Sequence, residues 1–379
     1  MFFGKRIGYM TGIVCLTLLM VTGCEEKDNN RAVVAREGQK ITLLKATPPI
    51  KEESMKSADE FIIEKIDRFD GIRGEDWLEG DELLIMKENT AIEPVQVFDS
   101  MENIKNMYTY NIKTGEQKLL YNEKEYLWMP IVSPDKKHIL VQNVKSGVNR
   151  GLILDLNGNI VLTVSEENTK KDLYLSYNNA KWIGNDTIIV PTSENGVCLV
   201  HLNSQIEILK DIDLMQTDTA VLVGSRIYYI STDRNLMAYD LTTKKKEIIK
   251  ENVFNFELSP QRDKFAIEAK LSGTGSGLVI IDLEGKELQS LTKGKAIFGI
   301  SWSPDESKLA YLLSSDIESE NGLYIMNLKT LESTYVSPDF MGIDNGLKWN
   351  TSGTKLLASI GEVKDMKLLE NSYVITLNQ

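Results

Sequence analysis

Histidine and cysteine are scarce in this chain of 379 residues, which has two of the first and three of the second. His138 and His201 both fall in strand-like runs, and no His-x-x-x-His or Cys-x-x-Cys spacing exists to hold a metal. No Gly-x-Ser-x-Gly nucleophile elbow is present, and no Asp-x-Asp-x-Asp-Gly calcium loop. The stretch Ser272–Gly277 is glycine-rich but lacks the lysine and helix of a phosphate cradle, so it reads as a hairpin loop. Positive charge is in deficit, with 43 Lys and Arg against 55 Asp and Glu and a net charge of −12. Such a surface repels phosphate backbones, so no nucleic-acid partner is expected. Nor would it gain from an anionic bilayer surface. Beyond the first thirty residues no run of 18 apolar residues could cross a membrane. Neither a cofactor nor a metal is implied by any of these patterns.

One apolar run does occur, at the start. Met1 to Arg6 carry two positive charges, and Ile7 to Val21 form an apolar stretch of secretory h-region length. Val21-Thr22-Gly23-Cys24 follows and resembles the lipobox of bacterial lipoproteins, with an aliphatic residue at −3, a small one at −1 and then the cysteine. Thr22 departs mildly from the commoner Ala or Ser. The resemblance implies a diacylglycerol on the Cys24 thiol and cleavage before it, leaving Cys24 as the new N-terminus. The competing reading, an uncleaved transmembrane anchor, is disfavoured because the run is short for a bilayer span of about 20 residues. Two or three acyl chains anchor stably where one would not. Processing takes Lys5 and Arg6 from the charge of −12, leaving −14. It also removes Cys15, so only Cys198, set among Val197, Leu199 and Val200, remains as a thiol, and it reads as inert core. A large core lets an exported chain fold without disulfides. Abundant Lys, Asn and Ile hint at an AT-rich genome and a Gram-positive source, hence a location on the outer face of the cytoplasmic membrane.

Residues 24–58 are polar, with Pro48-Pro49 in the middle, and read as a tether in which Lys40 to Ala46 could form a stray strand. Beyond it, runs of four to seven strand-forming residues alternate with turn signals, and 3.6-period stretches are absent, which indicates an all-β domain over 59–379. These runs repeat. Val132-Ser133-Pro134-Asp135, Leu258-Ser259-Pro260, Trp302-Ser303-Pro304-Asp305 and Trp349-Asn350-Thr351-Ser352-Gly353 each precede an apolar strand. Trp77-Leu78-Glu79-Gly80-Asp81 and Trp182-Ile183-Gly184-Asn185-Asp186 are shorter copies, and Leu222-Val223-Gly224-Ser225 is a worn one. The second strands begin at Leu83, Ile139, Ile188, Ile227, Phe265, Leu309 and Leu356, at intervals of 56, 49, 39, 38, 44 and 47 residues. Four-stranded propeller blades take about 40–45 residues. Four of the five tryptophans occupy one repeat position, which reads as packing between blades.

With its Ser-Pro-Asp turns and Asn-Gly-type hairpins, the chain resembles TolB-like and WD-repeat β-propellers over about residues 59–379. Seven blades are preferred, and six follow if the first or the worn copy is misread. The final copy ends in a third strand, Tyr373 to Leu377, with no outer strand after it, while Phe61 to Ile66 is a strand that no blade requires. In the family resembled, the N-terminal strand often completes the last blade, which removes an exposed sheet edge.

One face of such a ring carries the short turns. The other would carry the longer connections, here Glu88–Asn106, Ser165–Leu173, Lys270–Gly277, Ser314–Gly322, Ser337–Asn345 and Gly361–Asn371. Binding residues collect on loops of a rigid scaffold. The candidates are Phe98, Asp99 and Glu102, then Asp316, Glu318 and Glu320, then Asp339 and Asp344, and finally Glu362 and Asp365. Their charge suits a cation or a basic partner, and equally a solvated surface. With no catalytic set, the reading is a non-catalytic binding or scaffolding module for an envelope protein, peptide or glycan, held to the membrane through lipid on Cys24. The alternatives are a hydrolase or lyase using acids at the propeller mouth on an envelope polymer, and a solute-capture or sensor lipoprotein.

Overall fold

The computed structural model describes residues 61–378 except 98–99, 123, 146–147, 166–179, 193–195, 215–219 and 365–366, together with two strands further upstream. Its β-rich sequence forms seven four-stranded antiparallel sheets in a propeller ring. From inner to outer strand, blade 1 is Arg73–Trp77, Glu82–Glu88, Lys105–Asn111 and Gln117–Tyr121. Blade 2 is Tyr126–Val132, His138–Lys145, Val148–Asp155 and Ile160–Val164, and blade 3 is Lys181–Trp182, Thr187–Pro191, Val197–His201 and Ile206–Leu209. Blade 4 is Ala220–Val223, Arg226–Ile230, Leu236–Asp240 and Lys246–Lys250, and blade 5 is Val253–Leu258, Lys264–Lys270, Ser276–Asp282 and Glu287–Gly294. Blade 6 is Ala296–Trp302, Lys308–Ser314, Gly322–Asn327 and Ser333–Ser337. The worn fourth copy is therefore a full blade.

Blade 7 is built from both ends of the propeller. Ile343–Trp349, Lys355–Lys364 and Lys367–Asn378 supply three strands, and Ile62–Asp70 pairs outside them from Ile62↔Asn378 to Asp70↔Asn371. The connection read as an irregular loop over Gly361–Asn371 is instead a β-hairpin, paired through Gly361↔Glu370 to Lys364↔Lys367. Backbone pairing alone lets the ladder continue through these mostly polar residues. Upstream, Arg31–Arg36 and Gln39–Leu44 pair as a separate hairpin.

Seven buried clusters, one between each pair of neighbouring blades, hold the ring together. Leu84, Met86 and Met107 of blade 1 meet Leu127, Ile139 and Val141 of blade 2. The same arrangement recurs around the circle to Trp77, Leu83 and Ile85 against Leu357 and Val374, which joins blade 1 to blade 7. The repeated tryptophans have one role. The Trp77 indole Nε1–H donates to the Lys348 carbonyl at 2.9 Å, Trp182 to Ile131 at 2.9 Å, Trp302 to Glu257 at 3.2 Å, and Trp349 to Ser301 at 3.1 Å. Each acceptor belongs to the preceding blade and sits one residue before that blade's own copy of the tryptophan position. A buried indole needs such a partner, and the carbonyl at the free edge of an innermost strand lacks one.

Turn chemistry explains the short-turn face. The Ser133 and Ser303 hydroxyls bond Asp135 and Asp305 at 2.7 and 2.5 Å and accept the N–H groups of His138 and Lys308. At the end of the third strands, Asn111, Asp155, Asp240, Asp282 and Asn327 each accept two backbone N–H groups of the following turn. These side chains replace the ladder where it ends. Lys136 Nζ lies 2.7 Å from Asp76 of blade 1, and Glu306 lies 2.5 Å from Lys264 of blade 5, so turns of one blade grip the blade before it.

Candidate functional site

Blade 6 displays the predicted acids most fully. Asp316, Glu318 and Glu320 sit in the connection between its second and third strands, where Glu318–Glu320 forms a 3-10 turn. Tyr324 and Tyr335 fix that turn, their hydroxyls donating to the Glu320 carbonyl at 2.8 Å and the Asn321 carbonyl at 3.1 Å. Tyr311 stacks on Tyr324 at 5.6 Å, and Tyr324 meets Tyr335 at 5.1 Å. Burial, then the neighbouring Tyr335, pushes the Tyr324 phenol up to about 12, so it remains a donor. The Glu320 carboxylate accepts from Ser315 at 2.7 Å, and Asp339, in the 3-10 turn Pro338–Gly342, accepts from Ser337 at 2.9 Å. Those two acids shape their own loops. Asp316 and Glu318 are exposed and their carboxylates make no hydrogen bond or ion pair among the described residues, with exposed Ile317 between them.

The other candidates have backbone places at most. Glu102 pairs with Val95 in a small hairpin inserted into blade 1, Asp344 lies in the innermost strand of blade 7, and Glu362 pairs with Leu369. Phe98, Asp99, Asp365 and the lipobox Val21, Thr22, Gly23 and Cys24 lie outside the described residues. So does most of the Ser165–Leu173 connection.

The same face carries an ionic network that the sequence reading missed. Arg73 Nε donates to Glu75 at 2.9 Å, and Lys105 Nζ to both oxygens of Glu370 at 2.9 and 3.0 Å. A second Arg73 nitrogen reaches Glu370 at 3.4 Å. It spans the seam where blade 7 meets blade 1. Below it Ser372 accepts the Gly74 N–H and donates to the Ile72 carbonyl, both at 2.7 Å, while Ser359 donates to the Gly74 carbonyl at 2.6 Å. A Cβ on Gly74 would stand 3.0 Å from Leu357, which explains the glycine. No local signal marks this network, because Glu370 lies 297 positions from Arg73 and 265 from Lys105.

Burial pushes the Glu75 carboxyl up to about 7, outweighing the opposing pull of Arg73. Its ordinary value is 4.5. Between these values the folded protein holds a proton that the unfolded chain has released, so this group makes stability fall as pH rises from about 4.5 to 7. Glu75→Gln is expected to flatten that part of the profile, leaving the slopes due to Glu257 and Glu268, whose shifts have the same sign. Urea midpoints from pH 5 to 8 measure it, and a variant curve parallel to the parent would show that Glu75 does not titrate in the fold.

His138 and His201 stay in the body of the ring. His201 Nδ1 lies 2.8 Å from the Thr187 hydroxyl, and the His138 ring lies 6.3 Å from that of Trp182. Cys198 is fully buried, and burial alone pushes its thiol up to about 11. Among the described residues no three His, Cys, Asp or Glu side chains come together as a metal site would need. No described helix is long and apolar enough to cross a membrane.

No protein-family model matches the chain, and no curated protein matches it by sequence. Solved structures do match. An oligogalacturonate lyase in complex with manganese aligns with a TM-score of 0.57 and 13% identity, over 85% of this chain and 98% of the other. An uncharacterized protein of Listeria monocytogenes EGD-e gives 0.56 and 15%, over 82% and 94%. TolB from Acinetobacter baumannii aligns at 0.42 and 12%, over 79% and 67%. At such identities the first two establish a shared fold.

Proposed function

We propose that the chain is an extracytoplasmic lipoprotein, anchored through lipid on Cys24, whose propeller holds an envelope protein, peptide or glycan on its loop face without transforming it. The observation that carries this reading is the asymmetry of the ring. The short-turn face spends its polar groups on turn geometry and blade-to-blade grips. On the opposite face Asp316, Ile317 and Glu318 are exposed. An apolar side chain between acids on a braced loop suits a partner with basic groups around an apolar contact.

Photo-crosslinking in intact cells tests it. A crosslinking residue at Ile317 is expected to capture a discrete envelope component, and one at Leu288, exposed on the outer strand of blade 5, is expected not to. Equal labelling from both sites would sink the docking face. Cys24→Ser is expected to abolish fatty-acid labelling and release the protein from membranes.

A further inference from the structure

The outer strand of each blade is an open rim, and its unpaired N–H and C=O groups invite pairing with other chains unless charge or cover blunts them. Charge does so in five blades. Lys118, Glu207, Lys246 and Glu287 stand in the outer strands of blades 1, 3, 4 and 5, and Glu64 in that of blade 7. Ser333–Ser337 of blade 6 and Ile160–Val164 of blade 2 carry no charge. Blade 6 has cover instead. The strand Gln39–Leu44 of the upstream hairpin lies beside Ser333–Ser337, with Cα atoms within 8 Å. The chain also enters the ring next to that strand, because Phe61 shares a buried cluster with Val336.

We propose that the hairpin Arg31–Leu44 is a strap docked on the rim of blade 6, which holds this blade at the membrane surface and presents the loop carrying Asp316, Ile317 and Glu318 to a membrane protein. The partner class rests on the docking reading above and on lipid at Cys24. Reach supports it. Cys24 to Arg31 spans seven residues, at most about 25 Å of extended chain, whereas Cys24 to Phe61 spans 37, about 130 Å. A docked strap therefore leaves only the first of these lengths free to extend. The strap is also joined to the acidic loop. Tyr335 belongs to the covered strand and donates to the Asn321 carbonyl at 3.1 Å. Its neighbour Tyr324 donates to the Glu320 carbonyl at 2.8 Å, so the strand beneath the hairpin braces the turn that displays the acids. Asp316 and Glu318 repel anionic headgroups, so a protein surface with basic groups fits this loop better than the lipid itself.

Thiol bridging of the full-length protein in detergent tests the strap. Single cysteines at positions 39 to 44 are combined in turn with Thr334→Cys and treated with a short bis-maleimide, and peptide mapping identifies each bridge. Bridges to Thr334→Cys are expected, and none to Val161→Cys on the equally uncharged rim of blade 2. No bridge to blade 6, or equal bridging to both rims, overturns the strap, whatever the state of Cys24. In intact cells, a crosslinking residue at Ile317 is expected to capture a membrane protein. Replacing residues 31–44 by a Gly-Ser run of equal length should cut that capture about tenfold, since effective concentration falls with about the 3/2 power of tether length. A melting curve like the parent's shows that the ring of this variant is intact. Capture of a component that is not a membrane protein, or capture that the replacement leaves unchanged, overturns the membrane-surface assignment. No capture at all sinks the docking reading and the partner with it, while the bridges still judge the strap.

Discussion

A chain begun at Gly71 should lose its cooperative thermal transition and aggregate. The missing segment is the outer strand of blade 7. Without it, the strand Lys367–Asn378 becomes an open edge with unpaired N–H and C=O groups over the register Ile62↔Asn378 to Asp70↔Asn371. Phe61 would also leave the cluster it shares with Phe340, Trp349, Leu356 and Leu377, with Ile63 and Ile66 packed against it. Losing a buried phenyl group alone costs about 3–5 kcal/mol, against a total stability of about 5–15 kcal/mol for a typical domain. Added in trans, a peptide of residues 59–70 should restore the transition by strand addition. Melting followed by circular dichroism, with light scattering in parallel, decides it. If the shortened chain melts within a few degrees of the parent, Ile62–Asp70 is not what closes the ring.

Trp77→Ala should be the most damaging of the four alanine replacements at the repeated tryptophans. Trp77 is 1% exposed, whereas Trp182, Trp302 and Trp349 are 6–8% exposed. It also stands in the cluster between blades 1 and 7, which has only five fully buried members. The expected loss is about 3–5 kcal/mol. Trp77→Phe keeps most of the apolar contact but leaves the Lys348 carbonyl without its indole donor, at a further expected cost of about 1 kcal/mol over the area change. Urea titrations of the four alanine variants give the order. Equal losses at all four sites would show that the seam between first and last blade is no weaker than the others.

Much of this architecture is legible in the chain before it folds. Blade boundaries follow from turn residues and apolar runs because both are local. A Ser-Pro-Asp turn works through hydroxyl and carboxylate contacts within five residues. Closure by Phe61 to Ile66 is equally legible, since one blade lacks an outer strand and one strand lacks a blade. The hairpin over Gly361–Asn371 is not legible in the sequence because its Lys, Glu and Asn residues have loop composition, while pairing through Gly361↔Glu370 needs only backbone groups. Roles on the loop face were harder to foresee. Glu320 and Asp339 looked like free acids but brace their own turns, which depends on where Ser315 and Ser337 point.

Sequence alone determined the all-β class, the repeat, the tryptophan position and the strand left over for closure, because each arises from a pattern no longer than one blade. Only the tertiary structure decided that Arg73, Glu75, Lys105 and Glu370 share a seam. Those groups come together when the circle of blades shuts, and charges separated by whole blades leave no mark on their immediate neighbours in the chain.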